Sequence, residues 1–137
     1  MNVLQKLPVP TVEGFHFIDI ATIKYLKSDN TTTYIYVEGE KFPVVSSKNL
    51  GKYEPELQTG LFLRVHQSYI VNLSRIKKYI RADGTYLLLT DGTSIPVTRK
   101  DELLKVLGIA KKWIKILFEN GRFQDWNTGM LIQLVFK

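Results

Sequence analysis

Between residues 62 and 99 the chain interleaves β-branched, aromatic and other apolar residues with six Lys and Arg side chains. Such a density of strand-forming residues favours short strands with a buried face. Two Asp-Gly pairs, Asp83-Gly84 and Asp91-Gly92, are typical of the turns of β-hairpins. The basic side chains, in contrast, require water or phosphate around them. We therefore expect a β unit with a cationic surface, which suits the binding of a polyanion better than the transformation of a small molecule.

Strand-forming patterns extend over most of the chain. Pro8 and Pro10 favour an extended N-terminal arm over residues 1–10. Glu38-Gly39 predicts a further hairpin turn. The strands are expected at residues 11–20, 23–28, 31–37, 41–45, 61–65, 77–81, 86–90 and 93–97.

In two other segments the apolar residues recur at helical spacing. A short helix is expected to begin after Ser46 or Ser47 as its cap and to run through Leu57, with Leu50, Tyr53 and Leu57 at helical spacing. A second pattern covers residues 101–119, and Gly108 predicts a break in it, because Gly costs about 1 kcal/mol relative to Ala inside a helix.

The composition restricts the class of protein. With 137 residues the chain has room for one ordinary domain, and its formal net charge of +6 favours nucleic acid or another anionic partner. The absence of cysteine excludes disulfides and thiolate zinc sites. No secretory leader and no run of roughly 18 apolar residues is present, so a cytoplasmic protein is expected.

An enzyme is not expected. The two histidines, His16 and His66, lie far apart and have no ligand spacing, and His16 alternates with Phe15 and Phe17 as on the solvent face of a strand. No Gly-rich phosphate loop, Gly-x-Ser-x-Gly motif or close carboxylate pair occurs. No metal site and no cofactor are predicted.

The basic residues concentrate at the ends of predicted elements. Ser74, Arg75 and Lys77 lie in or next to a polar turn, and Arg99-Lys100 precedes the second helix. Cations and exposed backbone donors at such places suit phosphate contacts. A single Lys at a strand edge more often serves solubility, but the loops taken together favour binding.

The segment Phe-Leu-Arg-Val-His-Gln-Ser-Tyr-Ile-Val-Asn resembles the signature of the LytTR DNA-binding domain. The later run Asp-Gly-Thr-Ser-Ile-Pro-Val-Thr-Arg is similar to the second half of that signature. The resemblance covers roughly residues 11–107 and leaves residues 108–137 as a helical C-terminal extension. The matching residues of the first half are Phe62, Arg64, His66, Ser68, Tyr69, Val71, Asn72 and Ile76.

The resemblance implies a mainly β, elongated fold of short antiparallel sheets with small helices. It implies sequence-specific binding of double-stranded DNA in transcription regulation, with loops in two successive major grooves and backbone contacts between them. Arg99 is then the candidate for base readout, since Arg can bond guanine O6 and N7 together. Three signature residues are expected to support the structure and not to contact DNA: Arg64, His66 and Ser68. The expected DNA-binding residues are Asn30, Thr31, Thr32, Gln67, Asn72, Ser74, Arg75, Lys77, Arg99 and Lys100.

Some positions depart from the family pattern or allow two interpretations. Gln67 stands where the family more often has Arg, which removes one cation. His66 and Asn72 can equally hold the turn by bonding to nearby backbone. The family usually forms the output domain of a response regulator in a two-component system, and no receiver is recognisable here, so a free-standing domain or a fragment is expected.

The basic amphipathic extension leaves three interpretations: a lid on the β core, a homodimerisation element, or a contact to a membrane or partner. A homodimer could also form on direct-repeat DNA sites. The alternative function is accordingly a protein- or membrane-interaction module that uses this extension.

Overall fold

The computed structural model describes residues 5–57 and 60–108, which form ten β-strands and two short α-helices. The expectation of a mainly β fold with short antiparallel sheets and small helices is confirmed. The strands are β1 (Lys6–Thr11), β2 (Gly14–Asp19), β3 (Ile23–Asp29), β4 (Thr32–Val37), β5 (Val44–Ser46), β6 (Phe62–His66), β7 (Tyr69–Asn72), β8 (Ile76–Arg81), β9 (Thr85–Leu89) and β10 (Ser94–Pro96), and the helices are α1 (Leu50–Glu56) and α2 (Lys100–Val106).

The described residues divide into two compact units, the first ending at Ser74 and the second beginning at Arg75. The first contains the β1–β2 hairpin, α1 and a five-stranded antiparallel sheet in the order β5-β4-β3-β7-β6. One apolar cluster joins all three parts, since each of them buries alternate or helically spaced residues against the others. Its members are Leu7, Val9, Ile18, Ile23, Leu26, Ile35, Leu50, Tyr53, Leu57, Phe62 and Ile70.

Residues 6–10 form most of β1, so the expectation of an arm is wrong for them. β1 pairs with β2 along its whole length, and Leu7 and Val9 are buried in the core. Pro8 and Pro10 are two residues apart, so both missing N–H groups lie on the same side of the strand. The carbonyl of Pro10 accepts from the N–H of Ser47, away from β2, which means that the prolines cost the hairpin no hydrogen bond.

Helix α1 begins after Asn49, not after Ser46 or Ser47. The Asn49 side chain accepts a hydrogen bond from the N–H of Lys52 at 3.2 Å, which is the usual role of an N-cap. Ser46 instead lies buried in β5, where its hydroxyl is 2.6 Å from the hydroxyl of Tyr53. Burial raises the pKa of Tyr53 above its usual value. The Ser46–Tyr53 contact thus ties α1 to the sheet.

Two strands of the sheet differ from the expected positions. β7 was missed, because four residues are too few to give a clear period, and β5 starts three residues later than expected. β7 is an interior strand, since it pairs with both β3 and β6. The signature segment therefore forms one edge strand of the sheet, β6, and its interior neighbour, β7.

The second unit contains a three-stranded antiparallel sheet in the order β10-β9-β8, followed by α2. Both Asp-Gly turns are present, and Asp83 and Gly84 have φ values of 43° and 115°, the left-handed region that such turns need. Helix α2 ends at Val106, and Gly108 has a φ of 79°, so the first helix ends just before Gly108, where the break is predicted. The expected helical extension lies outside the described residues, apart from Gly108 itself.

Among the described helices, none combines the length and the apolar character that crossing a membrane requires. The described His, Asp and Glu side chains form no group of three or more that could hold a metal ion.

Candidate nucleic-acid interface

The turn between β3 and β4 is the first of the predicted contact regions. Asp29 and Thr32 are cross-strand partners, so Asn30 and Thr31 alone make the connection. Asn30 has a φ of 57°, which Asn adopts more readily than most residues. Asn30 and Thr31 are exposed and Thr32 is half-buried. Amide and hydroxyl groups both donate and accept hydrogen bonds, as contacts with base edges require.

The turn between β6 and β7 carries Gln67, which is exposed. Its main-chain carbonyl accepts a hydrogen bond from Nη2 of Arg64 at 2.5 Å, and Nη1 of Arg64 lies 3.2 Å from the carboxylate of Glu54 in α1. The N–H of Ser68 donates to Nδ1 of His66 at 3.0 Å. The signature residues Arg64, His66 and Ser68 therefore hold the backbone of the turn that presents Gln67.

A β-bulge precedes this turn. Arg64 pairs with Ile70 and His66 with Tyr69, which leaves Val65 as an extra, fully buried residue in β6. A bulge bends its strand and re-aims the side chains that follow. The direction of the Gln67 turn thus depends on one inserted residue.

The two turns meet around a recess of about 590 Å³ within the first unit. The N–H of Ser28 donates to the carbonyl of Ser68 at 2.9 Å, which joins the end of β3 to the second turn. The structure thereby brings Asn30, Thr31 and Gln67 together. The recess is lined by Ser28, Asp29, Asn30, Thr31, Asn49, Leu50, Gly51, Arg64, Gln67 and Ser68.

Sequence reasoning missed the part of this lining that α1 contributes. Asn49, Leu50 and Gly51 come from the start of the helix. Asn49 is an N-cap residue directly before an apolar helical position, and that pattern could have located the helix start. It could not have placed the helix beside the two turns, because that contact depends on tertiary packing.

The first unit carries little net charge. Residues 1–74 contain seven Lys and Arg and seven Asp and Glu. The side chain of Arg64 is only 17 % exposed and faces Glu54. The recess consequently offers oriented hydrogen-bonding groups more than a positive potential, which suits base edges and sugars better than long-range attraction of phosphates.

Asn72 is fully buried, at 0 % exposure. Its Nδ2 donates to the carbonyl of Ile23 at 2.8 Å, and its Oδ1 accepts from the N–H and the hydroxyl of Ser74 at 3.0 and 2.7 Å. Of the two interpretations that the sequence leaves open for Asn72, the geometry favours support of the turn over contact with DNA. Ser74 is exposed, but its hydroxyl takes part in the same support.

In the second unit, Lys77 lies at another bulge. Ile76 pairs with Leu89 and Lys78 with Leu88, so Lys77 is the extra residue of β8, and it is exposed. The carbonyl of Arg75 accepts from the N–H of Thr90 at 2.9 Å, and Arg75 is half-buried. The bulge directs Lys77 outwards at the start of the sheet.

Arg99 and Lys100 are both exposed at the start of α2. Arg99 occupies the N-cap position, and its side chain makes no capping hydrogen bond. Together with Arg75 and Lys77 it belongs to the second unit and not to the recess. Residues 75–108 contain seven Lys and Arg against four Asp and Glu, so this unit, unlike the first, is electropositive.

Comparison with known proteins identifies one family. The model of the LytTr DNA-binding domain matches residues 13–106. Among solved structures, the LytTr DNA-binding domain of a Bacillus cereus protein described as a methyl-accepting/DNA response regulator is similar, with a TM-score of 0.64 and 25 % identity. The match covers 76 % of this chain and 97 % of that one.

Two curated relatives are bacterial transcription regulators. The transcriptional regulatory protein LytR of Staphylococcus aureus strain MW2 is 31 % identical over 100 residues, which cover 72 % of this chain and 40 % of that protein. The CO-responsive transcriptional regulator RcoM of Rhodospirillum rubrum is 31 % identical over 100 residues, covering 70 % and 41 %. The chain thus spans about two fifths of the length of the curated relatives it matches.

Proposed function

Because the chain belongs to the LytTr DNA-binding domain family, we propose that it binds duplex DNA at specific sequences and acts in transcription regulation, without catalysis. The observation that carries the proposal is the set of exposed polar and basic residues on the turns and the helix start of a family-typical fold: Asn30, Thr31, Gln67, Lys77, Arg99 and Lys100. Loops then enter two successive major grooves, with backbone contacts between them.

Turns of the first unit supply one set of groove contacts. Asn30, Thr31 and Gln67 line one recess, and their side chains can donate and accept together at base edges or sugars. The hydrogen bond from Arg64 to the main-chain carbonyl of Gln67 supports this role, since a turn whose backbone is already held loses less conformational freedom on binding. Thr32 continues the same turn into β4.

Arg99 supplies the base readout of the second unit. It is exposed at the start of a short helix, and Arg pairs bidentately with guanine in the major groove. Lys77, Lys100 and Arg75 contact phosphates and set the position of the protein on the duplex. Asn72 and Ser74 hold the turn between β7 and β8 and touch no base.

Selection of bound duplexes from a random pool, at fixed salt, tests the function as a whole. The proposal predicts a preferred sequence. Failure of any sequence to be enriched, together with co-purification of a protein partner, would support the interaction module instead.

Replacement of Arg99 by Ala then tests the readout. Loss of a bidentate contact to guanine should weaken binding to the selected site about 5- to 150-fold, and binding to random duplexes by less than about threefold. Lys105→Ala, a change of one exposed cation in the last turn of the same helix, is the matched control. An equal loss on both duplexes would mean that Arg99 contacts only phosphate.

A further inference from the structure

The outer face of the β1–β2 hairpin is apolar. Cross-strand partners share a face of a sheet, and the pairs Pro8 with Phe17 and Pro10 with Phe15 lie opposite the core-facing pair of Leu7 and Ile18. Phe15 and Phe17 are 64 % and 65 % exposed. The solvent face of an antiparallel sheet is ordinarily polar. Two exposed phenyl side chains on this face therefore indicate an interaction surface.

We propose that this face, defined by Lys6, Pro8, Pro10, Phe15, Phe17 and Asp19 and named the hairpin face, binds the hairpin face of a second copy of the chain. The pairing register argues for this occupant. A two-fold axis parallel to the strands, between two stacked hairpins, places β1 of one copy over β2 of the other. Each residue then faces the residue that is its own cross-strand neighbour, as an isologous interface requires.

Both the shapes and the charges match in this arrangement. Pro8 and Pro10 of one copy lie over Phe17 and Phe15 of the other, so that proline rings pack on phenyl rings. At the end of the hairpin Lys6 and Asp19 are cross-strand partners and both are exposed, so the dimer contains two contacts between a Lys6 and an Asp19 of different copies. The face is therefore complementary to itself in charge, and a partner with one sign of charge would pair with only half of it.

The size of the face predicts weak association. A fully covered aromatic side chain buries roughly 150–250 Å², so Phe15 and Phe17 at 64 % and 65 % exposure contribute about 200–300 Å² per copy. Even with the prolines, two copies bury less than the roughly 1,200 Å² of a standard stable interface. Dimers should accordingly form at high concentration, or when two copies are held close together.

Sedimentation equilibrium of the full 137-residue chain tests the proposal. The unsubstituted chain should show a monomer–dimer equilibrium with a dissociation constant in the high micromolar to millimolar range. Phe15→Ser with Phe17→Ser should raise that constant by about tenfold or more. Phe42→Ser is the matched control, because Phe42 is 74 % exposed but lies in the β4–β5 connection, and this change should have no effect.

A charge exchange tests the register. Lys6→Asp and Asp19→Lys should each weaken self-association, since like charges then face one another. Mixing the two variants should restore it, because the carboxylates of one variant would face the ammonium groups of the other. Asp19 also accepts from the N–H of Ala21, so thermal unfolding must first establish that Asp19→Lys folds.

Three results would overturn the proposal. The unsubstituted chain could remain monomeric up to millimolar concentration, or the double Phe variant could associate as strongly as the Phe42 control. A monomer whose stability falls when Phe15 and Phe17 are replaced, but not when Phe42 is, would indicate that another part of the same chain covers the face. None of these outcomes depends on DNA, so the proposed function is tested separately.

Discussion

Asn72 shows how a signature side chain can act through the backbone that it holds. It is fully buried, and it bonds the carbonyl of Ile23, 49 positions earlier, together with two groups of Ser74. A buried amide that satisfies three partners fixes strand β3, strand β7 and the following turn at once. No shorter or apolar residue could do this, which explains the residue type by structure alone.

Replacement of Asn72 by Ala should lower the free energy of unfolding by about 2–3 kcal/mol, because the buried carbonyl of Ile23 loses its donor. Ser74→Ala, which removes only one donor to the same Asn72 oxygen, should cost about 0.5–1 kcal/mol. Urea denaturation of both variants gives the comparison. Equal and small losses would mean that the buried network contributes little, and contact of Asn72 with DNA would have to be reconsidered.

At the scale of elements, Asn30 in the β3–β4 turn must meet two separate requirements, one of backbone conformation and one of binding. Asn30 must adopt a φ of 57° and, under the proposed function, must also offer its amide to DNA. Gly satisfies the first demand without strain and removes the second. The two roles are therefore separable by a single change.

Asn30→Gly should leave the unfolding free energy within about 0.5 kcal/mol of the original and weaken binding to the selected duplex about 5- to 10-fold, as expected for the loss of a base-edge contact. Asn30→Ala serves as the comparison, since it removes the amide and also strains the turn. Unchanged affinity of the Gly variant, measured by fluorescence anisotropy, would exclude Asn30 from the DNA contacts.

An element can be predicted from the sequence when its position is determined by neighbouring residues, and not when it is determined by contacts with distant ones. The Asp83-Gly84 turn and the end of α2 before Gly108 were predictable because a left-handed φ is a requirement of individual residues. β7 and the start of α1 at Asn49 were not, because their positions follow from pairing and packing with distant residues. For the same reason Gln67 could be chosen from the sequence, whereas the recess that it shares with Asn30 could not.

At the scale of the molecule, the net charge of +6 is confined to one part of the sequence. Residues 1–74 are balanced, so the whole excess belongs to residues 75–137. Under the proposed function the second unit therefore supplies most of the attraction to the polyanion, and the first unit adds uncharged contacts. This division should appear in the response of binding to salt.

Lys77→Ala should reduce the slope of log affinity against log salt concentration by about 0.9, the value for one phosphate contact on duplex DNA. Lys41→Ala, which removes an exposed cation of the first unit, should change that slope by less than about 0.3. Titrations at four or more salt concentrations measure both slopes. Identical slopes for the two variants would contradict the proposal that the second unit supplies most of the phosphate contacts.

The pairing of β3 with β7 has a consequence for synthesis of the chain on the ribosome. Lys27 and its partner Tyr69 are 42 positions apart, so at roughly 5–20 residues per second β3 waits about 2–8 s for β7 to be made. During that time β3 and β4 can form a hairpin, but the other edge of β3 exposes unpaired backbone groups that attract foreign strands. The newly made first unit is thus most vulnerable to aggregation before the signature segment, whose strand β7 pairs with that edge of β3, has emerged.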